Sequence, residues 1–156
     1  MTAPCICGID PGLGGAIAFY LPDAPDRVIA EDMPVAAGMV DCATLAGRIR
    51  RMGPALAIVE RVASMPKQGV SSTFKFGTAY GAVIGTLAAL ETRTSLVTPQ
   101  TWKKHFRLDS DKEKSRALAL RTFAKTPECF IRKKDHGRAE AALLALYGAI
   151  LERGAP

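Results

Sequence analysis

The sequence predicts an α/β protein with a mixed five-stranded sheet, in which three antiparallel strands are followed by parallel α/β units and helices flank the sheet. Three observations carry this prediction. Three short apolar segments separated by turn residues occupy the first 33 residues. Two further apolar segments each follow a segment with helical spacing, and two more helical segments end the chain. At 156 residues the chain can bury one core, so we expect a single domain over residues 1–156.

The antiparallel part of the sheet is predicted at the N-terminus. Residues 4–10 (PCICGID) form a buried strand, and residues 15–20 (GAIAFY) pair with it across a short turn rich in glycine. Residues 27–33 form a third strand. Strands that follow one another this closely predict an antiparallel meander.

The parallel α/β units follow. Residues 42–52 have helical spacing, with Asp41 as N-cap. The apolar run LAIVE, residues 56–60, is then a buried strand parallel to its neighbour. A helix from position 71 or 72 to about 90 and a strand over 94–99 form the next unit.

The C-terminal third is predicted to be helical. One helix covers residues 111–124, a loop covers 126–134, and the last helix runs from Asp135 or His136 to just before Gly154. The full order, β-β-β-α-β-α-β-α-α, is that of the ribonuclease H-like fold, a mixed sheet covered by helices.

One face of the long central helix carries no side chains. Gly77, Gly81 and Gly85 recur every fourth residue, and each glycine costs a helix about 1 kcal/mol. A close backbone approach should offset this cost. We expect this face either to pack on the sheet or to contact a second subunit.

The positive charge is concentrated in one part of the chain. The net charge is +6, and residues 101–138 contain 12 Lys/Arg and 5 Asp/Glu, whereas the remaining residues contain 9 and 10. A basic lobe on a neutral body predicts a polyanionic partner such as nucleic acid; the alternative is a solvated surface.

Several function classes are excluded by what the sequence lacks. No apolar run is long enough to span a bilayer and no signal peptide is recognisable, so we expect no membrane partner and a cytoplasmic location. No GxxxxGK[ST] motif is present, which argues against a nucleotide cofactor. Cys5 and Cys7 lie in a strand without ligand-spaced partners and are expected to be buried, reduced thiols.

Acidic residues end two of the predicted parallel strands. Asp10 ends the first strand, although Asp-Pro-Gly is also ordinary turn chemistry, and Glu60 ends LAIVE, where a solvated or Arg61-paired acid is the alternative. Open α/β sheets place their sites at the carboxyl ends of strands. Glu140, inside the alanine-rich start of the last helix, is a third candidate, with pairing to Arg138 or Lys134 as its alternative role.

A fourth ligand is expected near Glu140. His136 lies four residues earlier, on the same helical face, and is favoured over Asp135, which reaches the site only if the helix starts after it. Oxygen and imidazole ligands at one point suit a pair of hard divalent cations, which relieve repulsion between carboxylates. Two such ions can clamp a phosphodiester.

At these residues the chain resembles the RuvC family of Holliday junction resolvases, particularly the small phage and prophage versions. GIDPG with Asp10 is similar to the first family motif, and IVERV with Glu60 to the second. TPQTWKKHF and DKEKSRAL resemble the basic segment, where Lys103 and Lys114 occupy the matching positions. GRAEAALLALYG with Glu140 resembles the final helix.

The resemblance implies a homodimeric, divalent-metal-dependent endodeoxyribonuclease with a ribonuclease H-like domain, which cuts four-way DNA junctions symmetrically. It implies two Mg²⁺ ions per site, with Mn²⁺ as a substitute, bridged by Asp10 and further held by Glu60 and Glu140. Lys103 would then assist near the scissile phosphate and Lys114 would hold DNA backbone. A YqgF-type RNA-processing nuclease of the same fold is an alternative.

The chain departs from the family pattern at two points. The last motif usually has two acids three residues apart, but Gly137 stands three residues before Glu140. A junction-binding protein with an incomplete metal site is therefore a further alternative. The aromatic residue often found after the second acid is replaced by Ala63 and Ser64; Phe74 or Phe76 could substitute, although core packing is expected for each.

The basic segment should bind DNA backbone with a strong salt dependence. Within TWKKHFR, Trp102 and Phe106 share a helical face, and we expect them in the core with only the cations facing DNA. The predicted DNA-binding residues are Lys103, Lys104, Arg107, Lys112, Lys114, Arg116, Arg132, Lys133 and Lys134.

Overall fold

The computed structural model describes residues 2–154, so Met1, Ala155 and Pro156 of the predicted domain lie outside the described residues. The strands are β1 (Ile6–Asp10), β2 (Ala16–Tyr20), β3 (Val28–Asp32), β4 (Val35–Ala36), β5 (Met39–Val40), β6 (Leu56–Glu60) and β7 (Thr94–Val97). The helices are α1 (Cys42–Met52), α2 (Val70–Ala89), α3 (Pro99–His105), α4 (Lys112–Thr122) and α5 (His136–Gly154). Two short 3-10 turns, Pro127–Cys129 and Lys133–Asp135, lie between α4 and α5.

The predicted mixed five-stranded sheet is confirmed. Its order is β3-β2-β1-β6-β7. β2 pairs antiparallel with β1 and β3, whereas β6 pairs parallel with β1 and β7. The sheet therefore changes from antiparallel to parallel at β1, which places the carboxyl ends of β1, β6 and β7 at one edge.

Two features of the fold are absent from the predicted order. β4 and β5 form a separate ladder of two residues each, too short for a periodic pattern. α3 begins at Pro99, which the sequence pattern assigns to the end of a strand. Thr98 caps it by accepting a hydrogen bond from the backbone N–H of Thr101, and proline suits the first turn of a helix.

Alternate side chains of the strands enter two cores. On the α5 side, Ile6 and Ile58 pack with Leu143. On the opposite side, Cys7 and Val59 pack against residues from α1 and α2. Both cysteines of β1 and its approach, Cys5 and Cys7, are buried and free, as expected.

The backbone of α5 crosses β1 in close contact. A Cβ at Gly8 would overlap the carbonyl oxygen of Ala141 and lie 2.5 Å from the amide nitrogen of Ala145. Only glycine permits this approach. It brings the first turns of α5 next to the end of β1.

The glycine face of α2 does not pack on the sheet. Apart from the neighbouring turns of α2 itself, no atom of the described residues lies within 4 Å of a Cβ built at Gly77, Gly81 or Gly85. α2 contacts the core instead through Ala79 and Val83, among other residues. Of the two expected roles for this face, packing on the sheet is therefore wrong. Neither α2 nor any other helix of the described chain is both long and apolar enough to cross a bilayer.

Candidate metal centre and nucleic-acid interface

The register of the sheet directs two acids to the α5 side. Side chains alternate along a strand, and Ile6 and Ile58 face α5. Asp10 lies four residues after Ile6 on β1, and Glu60 lies two residues after Ile58 on β6. Since these strands are parallel neighbours, both carboxylates project toward α5 at the same edge of the sheet.

Glu140 joins them from the first turns of α5. Ligand oxygens of Asp10, Glu60 and Glu140 lie within 4.8 Å of one another. They line a cavity of about 580 Å³. Its wall consists of Asp10, Pro11, Gly12, Leu13, Gly14, Gly15, Glu60, Ser72, Lys75, Phe76, Lys103, Lys112, His136 and Glu140. The structure thus brings together three acids that are 50 and 80 residues apart in sequence.

The cluster raises the pKa of two of its carboxylates, Asp10 and Glu60. Burial raises the pKa of Asp10 well above its usual range, and the charges of Glu140 and Glu60 raise it further. Burial also raises the pKa of Glu60, although the hydrogen bond from Trp102 opposes this shift. The cluster therefore favours either a bound proton or another positive charge.

The donor set fits a divalent cation. Oε1 of Glu140 is buried without a hydrogen-bond partner among the described residues. Nζ of Lys103 lies 3.4 Å from it, as an ion pair without hydrogen-bond geometry. Carboxylate oxygens are the ligands that hard ions such as Mg²⁺ prefer. A buried oxygen without a hydrogen bond, on a residue grouped with two other acids, is well suited to such a ligand role.

α3 contributes two neighbouring side chains to the site. Nε1 of Trp102 donates a 2.8 Å hydrogen bond to Oε2 of Glu60. The ammonium of Lys103 lies 5.4 Å from the centre of the Trp102 ring. The prediction that Trp102 belongs to the core is confirmed, since its side chain is fully buried. Its contact with Glu60 was missed, because no spacing rule links position 102 to position 60.

The two candidates for a fourth ligand differ in position. His136 is half-buried at the start of α5 and lines the acidic cavity, but it lies outside the closely spaced oxygen cluster. Asp135 is buried elsewhere, where it binds Arg132. Its Oδ1 accepts hydrogen bonds from Nε and Nη2 of Arg132 at 3.0 and 2.7 Å, and its Oδ2 accepts a hydrogen bond from the backbone N–H of Arg132. The structure does not bring Asp135 to the cavity.

Close packing explains the absence of an acid at position 137. A Cβ on Gly137 would lie 3.0 Å from the carbonyl oxygen of Gly14 and 3.5 Å from the carbonyl carbon of Gly15. A side chain at this position would therefore press against the turn after β1. The fourth ligand position of the resembled family cannot be filled at this residue.

The basic residues fall into three groups. Lys103 and Lys112 line the acidic cavity, and Lys103 also lines a second cavity of about 570 Å³ with the exposed Lys104 and Arg107. Others form pairs within the chain: Lys114 with Asp109, Arg116 with Glu113, and Arg132 with Asp135. Lys133 and Lys134 are exposed. Lys103 thus lies at both cavities, with Lys112 beside the acids and Lys104 and Arg107 farther out.

The aromatic candidates of α2 lie outside the core. Phe74 is 75% exposed, so the expectation that it packs in the core is wrong. Phe76 is 37% exposed and lines the acidic cavity, with its ring 3.3 Å from a Cβ built at Gly12. Phe76 also lines a smaller cavity of about 210 Å³, together with Ser64 and Tyr80.

No protein-family model matches the chain, and no curated protein matches it. Solved structures do. RuvC of T. thermophilus in complex with a Holliday junction substrate is similar over 96% of each chain, with a TM-score of 0.69 at 16% identity. The fowlpox virus resolvase in complex with Holliday junction DNA is similar over 97% of this chain and 99% of its own, with a TM-score of 0.56 at 15% identity.

A third similar structure is the yeast mitochondrial Holliday junction resolvase Ydc2. It matches over 90% of this chain and 75% of its own length, with a TM-score of 0.53 at 14% identity. At such identities the likeness establishes the fold. The resemblance that the motifs predict is confirmed at that level: this chain has the fold of RuvC-like resolvases.

Proposed function

We propose that this protein is a divalent-metal-dependent endodeoxyribonuclease that resolves four-way DNA junctions by phosphodiester hydrolysis. The convergence of Asp10, Glu60 and Glu140 within 4.8 Å carries the proposal. It is supported by the cations on the cavity wall and by the fold shared with resolvases solved with junction DNA. The single nuclease domain over 1–156 and the cytoplasmic location stay predictions.

The acids would hold two Mg²⁺ ions, with Mn²⁺ as a substitute. Such ions, when bound, supply a lowered water pKa and charge stabilisation at the leaving oxygen. Asp10 would be the shared ligand, with Glu60 and Glu140 as further ligands. His136, at the cavity wall, is the proposed additional ligand or proton carrier. Asp135 is left out of this set because Arg132 holds it.

The chain's own cations would position the substrate. Lys103 lies at the cavity beside Glu140, so its ammonium can contact a phosphate that enters above the acids. Lys112 borders the same cavity. Lys104 and Arg107 extend the positive surface away from it. Phosphate contacts of this kind fix the position of DNA without reading its sequence.

The remaining predicted contacts would lie farther from the reacting phosphate. Lys133 and Lys134 are exposed and available to DNA backbone. Lys114, Arg116 and Arg132 would have to share their charge with Asp109, Glu113 and Asp135. We therefore propose a smaller contribution to affinity from these three.

The active protein would be a homodimer. Cutting two opposed strands of one junction needs two sites, and α2 offers an unpartnered face. Gly77, Gly81 and Gly85 leave this face flat, and the exposed Val70 and Phe74 extend it. Small residues allow a second helix to approach closely, so we propose that α2 packs against α2 of a second copy.

Cleavage of a synthetic four-way junction tests the proposal. The protein should cut the junction with Mg²⁺, but neither linear duplex nor an RNA–DNA hybrid, and EDTA should abolish cutting. Glu60→Gln should bind the junction without cutting it.

Two other results would each support a different function. A wild-type protein that binds the junction and never cuts it would be the junction-binding protein that the missing acid at position 137 allows. Preferential cutting of the RNA substrate would indicate the RNA-processing alternative.

A further inference from the structure

Trp102 is the only tryptophan of the chain, and its side chain is fully buried in the core on the α5 side of the sheet. A buried indole N–H must find an acceptor. The acceptor is Oε2 of Glu60, at 2.8 Å. A core side chain on α3 is therefore tied to a carboxylate on β6.

We propose that Trp102 is a positioning residue for metal binding: its indole N–H fixes the Glu60 carboxylate so that the other oxygen faces Asp10 and Glu140. The inference rests on the proposed function, because it assigns a supporting contact to the metal site proposed above. Trp102 touches neither ion nor substrate in this role and acts through Glu60.

Packing makes the indole a rigid support. Trp102 has no exposed surface, and its ring meets Phe106 edge-on, with the ring centres 6.4 Å apart. A free glutamate side chain samples several rotamers and loses this freedom when it binds an ion. The hydrogen bond from the fixed indole restricts the Glu60 rotamers when the protein folds. Ion binding therefore costs less side-chain conformational entropy.

The same ring also lies beside Lys103. The ammonium of Lys103 is 5.4 Å from the ring centre and 3.4 Å from Oε1 of Glu140. Cations are attracted to the face of an indole. Trp102 thus contacts Glu60 of β6 and also lies beside Lys103, which pairs with Glu140 of α5.

The test compares metal affinity in Trp102→Phe with that in wild type. Phenylalanine keeps an aromatic ring in the core but removes the N–H donor. Outer-shell partners of ligating carboxylates typically contribute 10- to 100-fold to affinity, so Mn²⁺ alone, titrated by calorimetry, should bind about 10-fold or more weakly. Phe106→Leu is the matched control, because it removes the ring that packs against Trp102 but no hydrogen-bond donor. It should retain wild-type affinity.

Each outcome of the titration decides one point. Equal Mn²⁺ affinity in wild type and Trp102→Phe would overturn the positioning role and leave the metal site standing. Equal weakening in Trp102→Phe and Phe106→Leu would reduce Trp102 to a packing residue and overturn the inference. A wild-type protein that binds no Mn²⁺ would overturn the metal site and the inference together.

A measurement on the wild-type protein covers the case in which Trp102→Phe does not fold. Since the chain has one tryptophan, its amide–proton NMR spectrum has one indole N–H signal. Addition of Mg²⁺, which is diamagnetic, should shift this signal in a saturable way as the acceptor carboxylate acquires a cation. An indole signal that stays fixed while Mg²⁺ binds would overturn the inference.

Discussion

The ammonium of Lys103 lies 3.4 Å from Oε1 of Glu140, a buried oxygen with no hydrogen bond in the described part of the chain. Lysine therefore provides part of the positive charge that three clustered carboxylates need. A cation bound among the acids would take over that role, which frees Lys103 to contact a phosphate. The pair thus connects the metal site to the substrate surface.

Lys103→Met should separate metal binding from catalysis. Methionine keeps an apolar side chain beside Trp102 but removes the charge. Mn²⁺ affinity should stay equal or increase, because a repelling cation is gone. Single-turnover cleavage of a four-way junction should fall about 100- to 1000-fold, the usual loss for one group that stabilises transition-state charge. Lys125→Met, which removes an exposed lysine paired with Asp26, is the control, and unchanged cleavage by Lys103→Met would contradict the assignment.

Stability of the metal-free protein should fall as pH rises from 5 to 8. Folding raises the pKa of Asp10 above its ordinary value of 3.8 and that of Glu60 above 4.5. At a pH between the ordinary and the raised pKa of each group, the folded protein therefore binds more protons than the unfolded chain. By linkage, the free energy of unfolding then decreases with pH across that window. Thermal unfolding in EDTA measures this slope.

The substitution Asp10→Asn and the addition of Mg²⁺ should each reduce the loss of stability at high pH. The amide carries no charge to repel Glu60 and Glu140, so at pH 8 without metal the variant should be about 1 kcal/mol more stable, or about 2–4 °C in Tm for a chain of this size. Mg²⁺ should stabilise wild type but leave Asp10→Asn almost unchanged. A wild-type Tm that rises from pH 5 to 8 in EDTA would contradict the charge assignment.

The double variant Lys104→Ala, Arg107→Ala should weaken junction binding and its salt dependence. Each phosphate contact contributes about 0.9 to the slope of log affinity against log salt, so loss of both should reduce the slope by about 2. Arg50→Ala, Arg51→Ala is matched in charge and lies at the end of α1, outside the basic segment. Fluorescence anisotropy at several salt concentrations should show a change only in the first variant; equal slopes would refute the proposed interface.

Gly81→Glu should convert the proposed dimer into a folded monomer. Within one copy no atom lies within 4 Å of a Cβ built at this position, and glutamate is a better helix former than glycine. The introduced charge would be buried only at a helix–helix contact between copies. Gly47→Glu on α1, another uncrowded helical glycine, is the control. A dimer that persists in Gly81→Glu, by light scattering, would exclude the α2 contact.

Much of the sheet follows from local patterns. Short apolar runs ending in Asp10 and Glu60 predict buried strands, and an intervening helix makes the second strand parallel. The close approach of α5 also has a local signal, since Gly8 interrupts the apolar run of β1. Helix α3 was left out of the predicted element order because its seven residues are too few for a periodic pattern, although Trp102 and Phe106 have helical spacing and Thr98 followed by proline is a helix-start signal.

The site was predictable in its residue types and less so in its contacts. Strand-end acids converge because parallel strands end at one edge, which the sequence already indicates for Asp10 and Glu60. The choice between His136 and Asp135 depends on where a helix begins. In the structure Arg132 holds Asp135 away from the cavity, and a pairing of this kind requires the loop geometry. The hydrogen bond between Trp102 and Glu60 depends on tertiary packing alone.

A crystal structure with Mn²⁺, with anomalous diffraction data, tests the central claim most directly. Anomalous peaks are expected between Asp10, Glu60 and Glu140 at coordination distance from an oxygen of each, and these peaks should be lost in Glu60→Gln crystals grown in the same way. Ordered carboxylates without a peak among them at saturating Mn²⁺, or with the ammonium of Lys103 still in contact with Glu140, would contradict the account.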